Sequence, residues 1–383
     1  MVKVRQRANG DSDVYPRKNK HGKVIGYRGA YWIRTAEGFK RRYVSGKNKS
    51  ETRAALAKAR GDRDDGLIFD AGDLTLQDFL ERWLQDSVKG SVSHRTYHNY
   101  DSQIRNHLAP VLGRIKLKTL SPAHIQRLYR AKLDSGLSTA SVRYQHAVLH
   151  RALNQATRWG LVPRNVCDVV DPPKVVNKEV IPLNFEQSRA FLEASAGDRY
   201  EALYTVALTC GLREGELLGL MKKDLDLSAR ALRVERQLLR MRDGSGYTFP
   251  EPKHSSKRAI KLPERAANAL EEHLDRQEHE VRRAGDLYRD QDLLFATDIG
   301  TPLDASNVVN RSFKPLLRDT GLPNIRFHDL RHTCATLLLL QGVHPKFVQR
   351  LLGHKSINIT LALYSHWMPD MGDFTADAMD NIL

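Results

Sequence analysis

Near the amino terminus, apolar and basic positions alternate with the period of two that is typical of a strand. In YRGAYWIRT (27–35) aromatic and aliphatic side chains alternate with basic neighbours, and FKRRYVS (39–45) reads as a second strand. A shorter strand is expected around residues 14–17. KSETRAALAKAR (49–60) consists mostly of good helix formers, with Ser50 as the expected N-cap. We therefore predict a small three-stranded sheet followed by one helix.

From residue 75 onward the period lengthens to that of an α-helix. In TLQDFLERWLQDSV (75–88) the apolar side chains recur at helical spacing. Three further stretches, 94–113, 121–136 and 138–160, contain helix formers and each ends at a glycine. The expected start signals are Thr75, Ser121 and Ser138. This part of the chain is therefore predicted to be all α-helical.

The last part of the chain mixes the two periods. RYEALYTVALTCG (199–211) and the long amphipathic stretch 264–284 predict helices, and more helices are expected from Ser306 to the end. Three short strands are predicted over 231–239, 247–254 and 258–263, and a strand or extended piece over 293–296.

Two linker-like stretches interrupt these patterns. RDDGLIFDAGD (63–73) is one, and DPPKVVNKEVIP (171–182), with three prolines, predicts an extended strap. They divide the chain into predicted domains at 1–65, 66–175 and 176–383. The predicted fold class is multidomain α+β: a small three-stranded sheet with a helix, an all-α domain, and a mainly α domain with a small antiparallel sheet.

The charge of the chain changes what these domains can bind. The net charge is +16 and the pI is about 9.7, which points to a polyanionic partner, either nucleic acid or an anionic membrane surface. The excess is uneven: +11 over residues 1–65, +6 over 66–175 and −1 over 176–383. The longest apolar run is too short to span a bilayer, so the membrane interpretation is set aside. The first two domains are thus expected to carry the electrostatic contact with nucleic acid.

The three cysteines, Cys167, Cys210 and Cys334, are far apart and form no CxxC pair. A disulfide framework or a structural zinc site is therefore not expected, and a reducing compartment fits. The basic amino terminus has no apolar segment of the kind found in a signal peptide.

Six positions in the last domain combine cations, imidazoles and one tyrosine. They are Arg213, Lys253, His328, Arg331, His354 and Tyr364. Converging on one point, such cations would bind a phosphate and stabilise the charge of a pentacoordinate transition state. Tyrosine is a competent nucleophile at phosphorus, and a lysine on a hairpin can protonate the leaving oxygen. No acidic metal-binding cluster is present in the sequence pattern, so a metal-free site is expected.

Taken singly, several of these residues also have ordinary structural interpretations. Arg213 can pair with Glu216, three residues further on. His354 can cap its helix, and Tyr364 can be a core aromatic. Only the joint occurrence of the residues, in this order, favours a phosphate site.

Two choices stay open at this point. Lys253 competes with Lys257 for the role of general acid, and it is preferred because "PK" precedes a turn and a strand follows. His328 and His332 lie four residues apart and can bind zinc, although no carboxylate or cysteine completes a usual ligand set.

GLREGELLGL, HDLRHTCATLLLLQG and LLGHKSINITLALYSH resemble the signature boxes of the tyrosine recombinase family, in its order and spacing. The resemblance is to phage integrases of the phage lambda type and covers the whole chain. The middle domain resembles the core-DNA-binding domain of that family, and the amino-terminal sheet resembles its arm-DNA-binding domain.

The resemblance implies a role for each residue. Tyr364 would attack a DNA phosphate, form a 3′-phosphotyrosyl bond and release a 5′-hydroxyl, while Arg213 and Arg331 would clamp that phosphate.

By the same resemblance, His328 would assist proton transfer from the tyrosine and His354 would bond a phosphate oxygen. Lys253 would be the general acid, and Glu216 would orient the site. The acidic tail 368–383 would be exchanged between protomers.

The predicted function is thus that of a site-specific DNA recombinase that integrates, and with help excises, phage DNA at attachment sites, without a cofactor or metal. The resemblance implies core and arm sites on double-stranded DNA, a homotetramer on DNA, a host DNA-bending protein and an excisionase, at the nucleoid in the cytoplasm of a bacterial host. Two alternatives stay open: a tyrosine-dependent topoisomerase and a non-catalytic DNA-binding regulator.

Overall fold

The computed structural model describes residues 14–35, 38–64, 73–175, 181–241, 244–252, 256–364 and 380. By its internal contacts the chain divides into two compact units, Met1–Asn177 and Lys178–Leu383. The three domain boundaries proposed from the sequence stay a prediction.

The amino-terminal sheet is antiparallel with strand order β1-β2-β3. Its strands and helix are β1 Val14–Lys18, β2 Val24–Thr35, β3 Gly38–Gly46 and α1 Lys49–Asp64. Gly29 of β2 lets the sheet approach α1, because a Cβ there would lie 3.1 Å from a Leu56 methyl group. Asn48, not Ser50, caps α1: its side chain accepts from the Glu51 amide at 2.8 Å, and Ser50 lies inside the helix. The predicted cap was wrong because several neighbouring polar residues can cap a helix, and here Asn48 accepts the hydrogen bond two residues before Ser50.

The middle of the chain is helical, as predicted. The helices are α2 Leu76–Trp83, α3 His94–Gln103, α4 Ala109–Leu112, α5 Pro122–Asp134 and α6 Thr139–Arg158, with π-helical turns over Leu84–Val88 and Ile104–Leu108. Two short 3-10 turns cover Leu117–Thr119 and Val166–Val169. Thr75 and Ser138 cap their helices as expected, through bonds to the Asp78 and Ser141 amides. The core is formed by the predicted apolar stripe, with Phe79 and Trp83 buried.

The second unit is built around α8, whose side chains are buried on almost every side. Its helices are α7 Phe185–Ala194, α8 Glu201–Cys210, α9 Glu214–Leu218, α10 Glu264–Ala284, α11 Ala305–Val308, α12 Lys314–Asp319, α13 Asp329–Leu340, α14 Pro345–Leu352 and α15 Ile357–Tyr364. Shorter turns cover Lys222–Asp224, Gly285–Leu287 and Val309–Phe313. Because α10 and α13 pack on α8, the start of α13 lies near the end of α8.

The strands of this unit differ from the prediction in number and length. They are β4 Leu225–Asp226, β5 Ala231–Val234, β6 Leu239–Arg240, β7 Tyr247–Thr248 and β8 Arg258–Lys261. The three-stranded sheet has the order β4-β5-β8, while β6 and β7 form a separate pair. The segment 293–296 forms isolated bridges only, through Leu293 and Ala296. Short apolar runs predict a strand but not its partner, because pairing depends on contacts distant in sequence.

Several predicted features lie outside the described residues. They are Lys253, most of the tail 368–383 and the parts of both linkers at 65–72 and 176–180. In the described part of the chain, no helix combines the length and apolar character needed to span a membrane.

Candidate active site

Arg213 is placed by a tight turn between α8 and α9. Gly211 ends α8 in the left-handed conformation, with φ of 61°, and Arg213 occupies the cap position of α9. The Arg213 guanidinium donates to Glu216 Oε1 at 2.5 Å, to Ser256 Oγ at 3.4 Å and to the Gly353 carbonyl at 3.1 Å. The Glu216 contact confirms the expected i,i+3 pair, but the guanidinium also reaches a residue 140 positions away.

Glu216 is a buried carboxylate held between two arginines. It is 1% exposed, and it accepts from Arg258 Nη2 at 2.9 Å as well as from Arg213. Burial opposes its ionisation, but the hydrogen bond and charge of Arg258, followed by Arg213, outweigh burial and lower the pKa of Glu216. Arg258 is anchored in turn by the Leu351 carbonyl at 2.7 Å. The carboxylate therefore fixes two guanidinium groups.

Arg331 lies in the first turn of α13 and is 3% exposed. Its Nη1 donates to the Gly211 carbonyl at 2.7 Å. Within the described residues, its buried Nη2 has no hydrogen-bond partner. Burial, and after it the charge of Arg213, lowers the pKa of Arg331 to about 9, so the guanidinium remains charged at neutral pH. An incompletely balanced cation with a spare donor is suited to bind an anion.

His354 follows the left-handed Gly353 that ends α14. Its backbone is held by Gln349, whose Nε2 donates to the His354 carbonyl at 2.7 Å, and its Nδ1 lies 2.9 Å from Thr360 Oγ1. Burial, then the charges of Arg331 and Arg213, lowers the pKa of His354 to about 4. The ring is thus neutral at pH 7, with Nδ1 occupied by the threonine hydroxyl.

Tyr364 ends α15 and is 3% exposed, as part of a buried cluster with Ala335, Leu339, Val348 and Leu352. Its hydroxyl lies 2.6 Å from His332 Nδ1. Burial raises the pKa of Tyr364 to about 12, although the charge of Arg331 acts in the opposite direction.

His328 occupies the residue before the first turn of α13, and its ring lies 5.2 Å from the ring of His332, edge to face. His328 is partly exposed to solvent. Desolvation of its ring nevertheless lowers the pKa of His328 to about 4, and the charges of His332 and Arg331 contribute to this shift. It is therefore neutral at pH 7.

The structure brings most of the predicted residues into one neighbourhood. Those that interact, directly or through their charges, are Arg213, Glu216, His328, Arg331, His354 and Tyr364. Lys253 lies outside the described residues. Its rival Lys257 is engaged by two carboxylates, Glu251 at 2.7 Å and Glu235 at 3.6 Å, and these raise its pKa. The roles assigned to these residues stay predictions.

Sequence reasoning missed three contributors to this neighbourhood. The sequence suggests His332 only as a zinc ligand, and its pattern does not single out Arg258 or Thr360. The HDLRH spacing offered a signal for His332, because residues four apart share a helix face. No local signal could pair Arg258 with Glu216, 42 residues away.

Across the described residues, no three His, Cys, Asp or Glu side chains form a cluster suited to a metal ion.

Gly211 offers a test of how the turn positions Arg331. A Cβ at residue 211 would lie 2.6 Å from a Leu352 methyl group, in a backbone conformation that disfavours side chains. We expect Gly211→Ala to lower the free energy of unfolding by about 1–3 kcal/mol for backbone strain and about 1–3 kcal/mol for overpacking. DNA cleavage should also fall, because the Gly211 carbonyl holds Arg331.

Gly342→Ala is the matched control, since Gly342 has φ of 75° but a Cβ added there would meet no atom within 4 Å. Chemical denaturation of both variants should show the larger loss for Gly211→Ala; equal losses would contradict the predicted crowding.

The two histidines with low pKa values predict how DNA binding depends on pH. In the free protein, His328 and His354 stay neutral down to about pH 4, whereas an unfolded chain protonates them near 6.5. As pH falls from 6.5 toward 4, the unfolded state gains protons that the folded state does not, so stability decreases. A bound phosphate would raise both pKa values, so we expect proton uptake on DNA binding near pH 5.5.

Calorimetry in two buffers of different ionisation enthalpy measures this uptake. His354→Asn should reduce the proton uptake. An unchanged uptake would show that His354 does not contact the phosphate.

Comparisons with known proteins identify the family and the fold. Residues 182–370 match the Phage integrase family, and residues 75–133 match a family described as phage integrase, N-terminal SAM-like domain.

Two relatives align over nearly the full length. The chain is 31% identical to a tyrosine recombinase XerC-like protein of Caldanaerobacter subterraneus subsp. tengcongensis, over 89% of this chain and 92% of the relative. It is also 31% identical to an integrase of Streptomyces ambofaciens, over 92% of this chain and 93% of the relative.

Solved structures share the fold. The Tn1549 transposon integrase in complex with a circular intermediate DNA gives a TM-score of 0.68 at 24% identity, covering 81% of this chain and 99% of that one. A lambda integrase dimer bound to a COC′ core site gives 0.60 at 20% identity, covering 96% and 97%. The chain has the predicted α+β integrase fold and belongs to the phage integrase family of tyrosine recombinases, enzymes that cleave and rejoin DNA.

Proposed function

We propose that this site-specific DNA recombinase cuts and rejoins its attachment sites with Tyr364 as the nucleophile. The observation that carries the assignment is the placement of the Tyr364 hydroxyl against His332, one residue after the buried Arg331. The phenolic oxygen forms a bond to phosphorus, and the bond from phosphorus to the 5′-oxygen breaks. The phosphotyrosyl diester conserves the bond that rejoining needs, so no external energy source is required.

Arg213 and Arg331 bind the phosphate in this proposal. Arg331 offers the unpartnered Nη2, and Arg213 is oriented by Glu216. The transition state carries one more negative charge than the diester, so fixed cations in a site shielded from water stabilise it more than the ground state.

Proton transfers complete the chemistry. Lys253 is proposed as the general acid to the 5′-oxygen, and the engagement of Lys257 with Glu251 and Glu235 supports preferring Lys253. His328, ring against ring with His332, assists the transfer from the tyrosine. If the Thr360 hydroxyl donates to His354 Nδ1, then His354 Nε2 carries a proton and can donate to a phosphate oxygen.

The two alternatives from the sequence are not favoured. A non-catalytic regulator would not need a buried tyrosine beside two arginines and three histidines. A topoisomerase would share the chemistry, but the full-length relatives are integrases and recombinases.

One face of the amino-terminal sheet combines basic and exposed aromatic side chains, which supports the proposal that it binds arm-site DNA. On that face Arg28 lies over the Tyr43 ring at 4.6 Å, and Arg41 lies 5.9 Å from the Trp32 ring and 5.5 Å from that of Tyr43. Trp32 and Tyr43 remain exposed. This basic and aromatic face lies opposite α1, because Gly29 is on the other face of β2, where an added Cβ would meet Leu56. We infer that it contacts arm-site DNA and that the +6 helical segment contacts the core site.

The partner is double-stranded DNA, on which the enzyme acts as an oligomer. A lambda integrase tetramer bound to a Holliday junction shares the fold. We propose a homotetramer here as well, acting at the nucleoid in the cytoplasm of a bacterial host, with a host DNA-bending protein and an excisionase setting the direction of recombination.

The test is to trap and map the covalent adduct. The full-length protein is incubated with a nicked suicide substrate that carries its attachment site, taken from sequenced integration junctions. An SDS-resistant adduct should form at the 3′-phosphate, and mass spectrometry after proteolysis should place the nucleotide on Tyr364. A 5′-linked adduct, or one on another residue, would refute the proposal.

A further inference from the structure

His332 is the described residue that contacts the phenolic oxygen. Its Nδ1 lies 2.6 Å from the Tyr364 hydroxyl, which is within the range of a good hydrogen bond between O–H and N. A tyrosine hydroxyl donates most readily to an unprotonated ring nitrogen. The contact joins the end of α15 to the first turns of α13, across 32 residues.

We propose that His332 is a catalytic residue: its Nδ1 directly accepts the proton of Tyr364 when the tyrosine attacks phosphorus, and His328 supports it. The inference rests on the proposed function, because it presupposes that Tyr364 is the nucleophile.

The surroundings of His332 suit a base. Burial lowers the pKa of its ring, so the ring is neutral at pH 7 and able to accept a proton. Asp329, one turn earlier on α13, acts in the opposite direction and would stabilise the imidazolium once it forms. The positive charges of Arg326 and Arg331 destabilise that imidazolium. Arg326 also forms an ion pair with Asp329 at 2.7 Å.

His328 is less well placed to take the proton itself. Its ring contacts that of His332, and its pKa is lowered in part by His332. Among the described contacts of the Tyr364 hydroxyl, the hydrogen-bonded imidazole is that of His332. His328 is therefore assigned a supporting role: it contacts the His332 ring and helps to orient it, while His332 contacts the tyrosine hydroxyl.

The step is balanced in atoms and charge. The Tyr364 oxygen bonds to phosphorus as its proton moves to His332 Nδ1, and the bond to the 5′-oxygen breaks as that oxygen takes a proton from Lys253, the proposed acid. The diester keeps its single negative charge, His332 becomes a cation and Lys253 becomes neutral. In rejoining, His332 returns the proton to the departing tyrosine.

Asparagine separates proton acceptance from positioning. In His332→Asn the side-chain oxygen takes the place of Nδ1 and can accept the hydrogen bond, but it cannot take the proton. We expect single-turnover adduct formation on the nicked substrate to fall by about 10²–10⁴-fold at pH 7, with DNA binding retained. The rate of His332→Ala should fall by at least as large a factor. A His332→Asn rate within a few-fold of wild type would overturn the proposal.

The pH profile provides a readout that a structural role would not change. Without the base, the reaction needs preformed phenolate, so the His332→Asn rate should rise about tenfold per pH unit between pH 7 and 9. The wild-type rate should be nearly flat there. A large loss in His332→Asn with a flat profile would mean that His332 only positions Tyr364.

Fluorination of the nucleophile provides an independent test. 3,5-Difluorotyrosine installed at position 364 by nonsense suppression has a lower pKa, so it should recover part of the rate lost in His332→Asn and little of that lost in His328→Asn. Recovery confined to His328→Asn would assign the proton to His328 and refute the proposal. If unsubstituted protein formed no adduct on Tyr364, the proposed function itself would fail, which is a distinguishable result.

Discussion

Tyr364→Phe is expected to abolish the covalent DNA adduct while leaving DNA binding nearly unchanged. The substitution removes the oxygen that we propose forms the bond to phosphorus, and the only group hydrogen-bonded to it in the described site is the His332 imidazole. The ring should keep its place in the buried cluster that includes Leu339 and Leu352. Adduct formation on the nicked substrate and an electrophoretic binding titration measure the two effects.

The same change should reduce stability, because it leaves His332 Nδ1 without its hydrogen bond. The expected loss is about 1–3 kcal/mol in the free energy of unfolding. Tyr204→Phe is the matched control: Tyr204 is fully buried, and its hydroxyl bonds to Ser312 Oγ at 2.6 Å. It should show a similar loss of stability but retain cleavage. A covalent adduct formed by Tyr364→Phe would exclude Tyr364 as the nucleophile.

Arg331→Lys is expected to slow adduct formation by about 10²–10³-fold with only a small loss of DNA affinity. Lysine keeps the charge but lacks the planar pair of donors, so it cannot hold the Gly211 carbonyl and a phosphate oxygen at once. The lost interaction is strongest in the transition state, where the phosphoryl oxygens carry more charge. The loss should therefore appear in the single-turnover rate rather than in binding.

Arg199→Lys is the control for a half-buried, paired arginine in the same unit. Arg199 pairs with Glu280 at 2.9 and 2.7 Å and bonds to the Ala296 carbonyl at 2.9 Å. Its substitution should lower the unfolding temperature with little change in the rate per folded molecule. A loss below tenfold for Arg331→Lys would show that charge alone, without donor geometry, is sufficient at this position.

Much of the fold was predictable where the information is local. Helices such as Leu76–Trp83 and Thr139–Arg158 were found because apolar spacing and caps act within a few residues. The strand order in the second unit was not predictable: β4, which the sequence pattern did not suggest, pairs with β5. Strand pairing is decided by contacts between distant segments, which a single sequence does not encode in any one window.

The site residues also fall into two groups, those that local motifs identify and those that only the folded structure identifies. Its residue types and order carried the family resemblance, and Arg213, Arg331, His354 and Tyr364 were identified from short motifs. His332 as the partner of Tyr364, and Arg258 as the second cation on Glu216, became evident only from distances.

By itself, the sequence determined the chemistry that is available: a basic chain with a cation-rich, tyrosine-bearing final domain whose motifs match the tyrosine recombinases. The tertiary structure decided which groups meet. The packing of α13 on α8, and the turn at Gly353, bring residues more than a hundred positions apart within hydrogen-bond distance. Such contacts depend on how whole helices pack, and a proton acceptor is defined by its distance from the proton, so the partner of Tyr364 could be assigned only in the folded chain.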